Sequence, residues 1–226
     1  MPVAYAPKGG VHARNLWMYK SGRTGSDAAR DVLRAMLVVF LRDHGPCVWQ
    51  QAGMPAPTHL AVVPSGRGRC GSGYHPLRQL VAPYLAMPWA ELSSRCGAGH
   101  PVRDLDPDRF GAPPLPGARV ALLDDTWTSG ASAQSAAMSL RLAGARSVAI
   151  IVLGRHLAAG DCRAAGQHAA GLADFSPAAM PFRLGSCAVH RPAGPGRVHR
   201  PAAPGRLPDA VTSGGAARCP EAEARV

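Results

Sequence analysis

The chain has 226 residues, 46% of them hydrophobic, and a mean hydropathy of −0.04. Those values exclude a mini-protein, a wholly disordered chain and a membrane-embedded body, and predict one soluble globular domain, two at most. The formal net charge of +11 is carried by arginine, since Lys8 and Lys20 are the only lysines. Guanidinium groups suit phosphate, on a nucleic acid or on a small ligand, but an Ala/Gly/Pro/Arg bias along the whole chain accounts for the charge equally well.

The longest apolar run, Ala35 to Leu41, falls far short of the ~18 residues of a membrane span. Residues 1–20 lack the apolar stretch of a secretory signal, so a cytoplasmic protein with no membrane contact is expected. Six cysteines, at 47, 70, 96, 162, 187 and 219, form no C-x-x-C pair and are expected as free thiols.

In chain order, residues 1–58 are expected as a small hood plus the first helix. Ala29, Val32, Leu33, Met36, Leu37, Phe40 and Leu41 recur with helical period, which predicts a helix from Ser26 to His44, favoured by Asp27 and Asp31 at its start and stopped by Gly45-Pro46. His59 to Pro64 reads as an apolar strand running into a Gly/Arg-rich loop, with a helix from Pro76 carrying Leu77, Leu80, Val81 and Tyr84. Arg95 to Gly117 is rich in Gly, Pro and charge and reads as an irregular excursion. Arg119 to Asp125 predicts a strand, Thr126 to Ala131 a turn, Ser132 to Ala143 a helix closed by Gly144, and Ser147 to Leu153 a second strand. Both strands are continuously apolar, as in a parallel sheet covered on two faces, and make a right-handed βαβ unit. From His190 the composition turns to Pro, Gly, Ala and Arg, so 190–226 is expected as a disordered tail behind a domain spanning 1–189, its core at 59–187.

The chemistry concentrates in Val120-Ala-Leu-Leu-Asp124-Asp125-Thr126-Trp127-Thr128-Ser129-Gly130-Ala131-Ser132. Two adjacent carboxylates at the carboxyl end of a central strand are expected to project into the ligand crevice of an open α/β sheet and suit vicinal sugar hydroxyls. Thr128, Ser129 and Ser132 supply hydroxyls, Gly130 lets the backbone approach, and Ala131 opens the next helix, whose amides can cradle a monophosphate. Trp127 is expected to pack under the loop.

This segment resembles the phosphoribosyl-pyrophosphate (PRPP) binding motif of type I phosphoribosyltransferases, with Ser132 for the usual final Thr and Trp127 for the usual Val or Ile. The resemblance implies a parallel α/β sheet with helices on both faces and a small N-terminal hood. Asp124 and Asp125 would orient the ribose, and Thr128, Ser129, Gly130, Ala131 and Ser132 would hold the 5-phosphate. The loop Ser65-Gly66-Arg67-Gly68-Arg69 looks like the pyrophosphate loop, with Ser65 and Gly66 exposing amides and Arg67 and Arg69 offering charge. Tyr19-Lys20-Ser21-Gly22 before a long helix resembles the order of elements in the ComF-like branch, whose four-Cys zinc ribbon is missing here.

Magnesium is implied as an ion bound through PRPP, and the acceptor of the phosphoribosyl group is unidentified. The purine-salvage acid is absent at Thr128, no side chain stands out as a general base, and no catalytic residue is assigned. Cys162, Cys187, His156 and His190 lack a diagnostic zinc spacing, so no metal site is assigned there. His75 reads as a surface-loop or helix-end residue. Arg103, Asp104, Asp106, Asp108 and Arg109 fall where the family places a mobile lid, or form a solvated loop. The alternatives are a catalytically silent PRPP sensor or ComF-like DNA-uptake or repair module, and an arginine-rich nucleic-acid binder; homo-oligomerisation stays open.

Overall fold

A computed structural model describes residues 1–64, 75–95 and 104–157. The elements in order are β1 (Pro2–Pro7), α1 (Val11–Met18), α2 (Ser26–Gln51), β2 (His59–Val62), α3 (Pro76–Val81), β3 (Ser93–Ser94), β4 (Phe110–Gly111), β5 (Arg119–Trp127), α4 (Ala131–Leu142) and β6 (Ser147–Leu157). Strands β1, β6, β5 and β2 form one parallel sheet in that order. A single parallel bridge from Leu60 to Trp89 continues it outside β2.

The alternation of side chains along β5 divides the core into two layers. Leu123, with Val62 and Ile151, packs against Leu33, Leu37 and Phe40 of α2 and against α1 and α3. Val120 and Leu122 face Ala133, Ala136 and Leu140 of α4. Every residue from Val120 to Leu123 is at most 1% exposed, so this strand reads apolar throughout because both its faces are covered. The expected parallel sheet with helices on both faces is therefore present.

Four expectations change. Residues 2–7 do not belong to a hood: they form the edge strand β1, where proline at either end costs no ladder bond that a central strand would need. The helix expected to stop at Gly45-Pro46 continues to Gln51, with Pro46 inside it. Cys47 and Val48 beyond the proline are 0% and 4% exposed, and their burial outweighs the lost bond. The true terminator is Gly53 at φ +64, after which the Met54 N–H donates to Trp49 O at 2.9 Å. Because Pro46 is itself exposed, Pro46→Ala restores an N–H without opening a cavity. We expect it to raise stability by about 1 kcal/mol in urea denaturation.

Third, β5 and β6 run past their expected ends to Trp127 and Leu157, since Thr126 and Trp127 find partners in Gly154 and Arg155. That shortens the loop before α4 to Thr128–Gly130. Fourth, the described part of the excursion is anchored. The Asp106 N–H donates to Ser135 Oγ at 2.9 Å, Ser139 Oγ donates to Pro107 O at 2.8 Å, and Phe110 is buried beside α4. Arg109 is buried as well, whereas Arg103 and the expected tail lie outside the described residues. Gly144, at φ +101, terminates α4 as expected.

No helix among the described residues is long and apolar enough to cross a membrane. Cys47 is a buried thiol; the other five cysteines lie outside the described residues.

Candidate ligand-binding site

The parallel strands direct their carboxyl ends to one edge of the sheet, and β5 delivers Asp124 and Asp125 there. Strand alternation sends the two carboxylates to opposite faces, so the expectation that both project into the crevice is corrected. Asp124 lies on the α4 face, is half-buried, and accepts the Asp125 N–H at 2.9 Å. Asp125 lies on the α1/α2 face and is only 5% exposed. Its Oδ2 accepts the Tyr19 hydroxyl at 2.6 Å and forms an ion pair with Lys20 Nζ.

Charge separates the two acids. Burial and the neighbouring Asp125 charge push the Asp124 carboxyl up to about 7. Burial alone would raise Asp125 too, but the Lys20 charge and the hydrogen bonds from Lys20 and Tyr19 outweigh it and hold that carboxyl below the usual carboxylate range. Burial, reinforced by Asp125, raises the Tyr19 phenol far above its ordinary value, so it remains a donor. Near pH 7 Asp125 is charged and Asp124 about half ionised, and the pair faces the ammonium of Lys20.

His75 completes the group. It caps α3, its Nδ1 accepting the Leu77 N–H at 3.1 Å, which leaves the proton of a neutral ring on Nε2. It is buried rather than in a surface loop, and burial lowers its pKa; Asp125 and Lys20 act on it with opposite signs.

The three-residue loop Thr128–Gly130 leads from β5 into α4. Thr128 and Ser129 are exposed, Gly130 takes φ +81 at the N-cap of α4, and Ala131 begins the helix. Ser129 Oγ accepts the Ala131 N–H at 3.3 Å, and the next amides, of Ser132 and Ala133, have no intrahelical acceptor. The partial positive end of α4 therefore opens beside exposed hydroxyls. Trp127 packs under this loop as expected: a Cβ on Gly130 would overlap its ring.

Ser65, Gly66, Arg67 and Arg69 lie outside the described residues, as do Cys162, Cys187 and His190. Among the described residues no group of three His, Cys, Asp or Glu side chains could hold a metal ion. An apolar cavity of about 430 Å³ lies near the amino ends of β2 and β5, between Trp49, Leu60, Tyr84 and Leu123. Its one charged wall residue, Arg42, is bound by Asp43, so it does not suit a sugar phosphate.

Sequence reasoning brings Asp124 and Asp125 together with the loop at 128–132 but misses Lys20 and His75 as neighbours of the acids. One signal was present for Lys20: it is an ammonium in a chain that otherwise uses arginine almost everywhere. Neither a protein-family model nor a curated protein matches this chain.

Proposed function

We propose that this chain binds PRPP and transfers its 5-phosphoribosyl group to an unidentified nitrogen acceptor with release of pyrophosphate. The observation that carries this reading is the short span between two carboxylates near the end of β5 and the start of α4, where the Ser132 and Ala133 amides have no intrahelical acceptor. Acids for sugar hydroxyls and amides for a terminal phosphate are then held on one rigid strand and one helix.

In this reading Asp124, the more accessible acid, takes the ribose hydroxyls, and Asp125 sets the local charge through Tyr19 and Lys20. Thr128, Ser129 and Ser132 donate to the 5-phosphate beside the free amides of α4. As pyrophosphate leaves, the anomeric carbon acquires oxocarbenium character, which nearby carboxylate charge favours. The donor set agrees with a magnesium ion that arrives on PRPP rather than one resident in the protein. Such an ion would neutralise charge on the leaving diphosphate.

A catalytically silent PRPP sensor is the second reading, favoured by the burial of Asp125 against the protein's own Lys20. Thermal unfolding with PRPP, pyrophosphate and nucleoside monophosphates tests ligand binding. PRPP at about 100 times its Kd is expected to raise the midpoint by roughly 5 to 10 °C. No shift with any of the three compounds refutes both readings. Pyrophosphate release in a screen of acceptor bases separates enzyme from sensor.

A further inference from the structure

Helices α1 and α2 lie on the same side of the sheet, their inner residues Leu16, Leu33 and Leu37 sharing one cluster with Ile151 and Leu153. Their outer faces therefore form one surface. Four of the eight large apolar side chains exposed among the described residues stand on it: Val11 and Trp17 of α1, Val32 and Val39 of α2. The exposed Ala28, Val32, Ala35 and Val39 follow the four-three-four spacing of an a/d seam, on a helix of 26 residues that is about 39 Å long. Val11, Arg14 and Trp17 occupy the outer arc of α1, opposite Leu16.

Charge divides this surface into complementary halves. No acid precedes Asp27 in the chain, and Lys8, Arg14 and Arg23 are exposed without an ion pair among the described residues. The Arg23 guanidinium lies 5.5 Å from the centroid of the Trp17 ring, which holds the indole on the basic half. Asp27 and Asp31 stand on the first turns of α2. They pair with Arg30 and Arg34, but the acid side chains are 89% and 68% exposed against 37% and 33% for the arginines, so an incoming surface meets carboxylate first. Exposed pairs of this kind contribute little and exchange partners readily.

We propose that the outer faces of α1 and α2 form a two-fold interface between two copies of this chain. The Arg14, Trp17 and Arg23 half of each copy docks on the Asp27, Asp31 and Val32 half of the other, so that a single two-fold axis makes every contact twice. Buried Trp and Arg side chains are the usual anchors of such an interface. A polyanion such as a nucleic acid or an acidic membrane suits the arginines alone and is repelled by the two acids on the adjoining helix. This inference does not depend on the PRPP reading.

Sedimentation velocity of the full chain between about 1 and about 200 μM tests it. The parent mass is expected to rise from one chain, 23.5 kDa, toward twice that value. Acrylamide quenching of Trp17, the one exposed tryptophan, should fall in step. Trp17→Asp is expected to weaken association at least about tenfold. The double variants Arg14→Glu with Arg23→Glu, and Asp27→Arg with Asp31→Arg, should each sediment as monomers, while their equimolar mixture restores the dimer because both contacts regain opposite charges. A parent that stays monomeric overturns the inference, and a shift of its Trp17 emission with oligothymidylate or with phosphatidylserine vesicles then names the other occupant. A dimer with unchanged Trp17 quenching, or one that survives Trp17→Asp and both charge reversals, lies elsewhere and overturns it too, as does a mixture that remains monomeric. Parent mass and quenching decide the matter even if the charge-reversed chains fail to fold.

Discussion

Gly130→Ala is expected to destabilise the protein by about 2 to 4 kcal/mol and, on the proposed reading, to abolish PRPP binding. Two separate causes contribute. The residue sits at φ +81, where any side chain meets its own carbonyl and costs about 1 to 2 kcal/mol. An added methyl would also overlap the Trp127 ring, which packs against the cluster of Leu122, Ala133 and Leu140 and has little room to withdraw. Urea denaturation of Gly130→Ala, Trp127→Ala and the double variant separates the two. With the indole removed, the glycine replacement should cost only the backbone part, about 1 to 2 kcal/mol. The same cost in both backgrounds would show that the ring does not limit the loop. On the proposed reading binding would be lost with it, because this one backbone conformation sets the loop of Thr128 and Ser129 against the first turn of α4.

The second large effect concerns Asp125. Asp125→Asn keeps an oxygen for the Tyr19 hydroxyl but removes the charge that Lys20 faces. On the proposed PRPP reading, the loss of the anchor that positions Lys20 beside the ribose acid should lower PRPP affinity by about 1 to 3 kcal/mol, roughly 5- to 150-fold, read by calorimetry. Stability should respond to pH in a defined direction. The folded-state pKa of Asp125 is depressed, so its contribution is present above the ordinary Asp value near 3.9 and disappears as pH falls through the lower folded value. The folded-state pKa of Asp124 is raised to about 7, so its ionisation opposes folding increasingly between about pH 4 and pH 7. The Asp125 charge is one cause of that second effect, and the variant removes it. The deficit of Asp125→Asn, about 1 to 2 kcal/mol at pH 5 once the exposure of Lys20 is allowed for, should therefore shrink at pH 8. Equal deficits at the two pH values would mean that the carboxylates do not sense each other.

The continuous apolar character of Val120–Leu123 and Val148–Leu153, separated by a helix with a glycine stop, determined the parallel βαβ unit from sequence alone. Local period and composition are enough there, because a strand covered on both faces has no polar face to obscure its reading. The short loop into α4 was legible for a similar reason: Gly130 marks a backbone conformation that few other residues adopt. The edge strand β1 was not, since Pro2-Val-Ala-Tyr-Ala-Pro7 is too short and too interrupted to show a pattern, and only pairing with β6 makes it a strand. The course of α2 past Pro46 likewise depended on what Cys47 and Val48 bury against, which local propensity does not contain.

The same division runs through the site. Adjacent acids at the end of a strand were visible in the chain, along with the hydroxyl-rich turn that follows them. Which acid is accessible, which is neutralised, and by what, depended on packing α1 and α3 beside β5, which brings Tyr19, Lys20 and His75 to Asp125 across long stretches of intervening sequence. Residue order determines the chemical groups available at a strand end. Their charge state depends on burial and on neighbours supplied by other elements, and those exist only once the chain has folded.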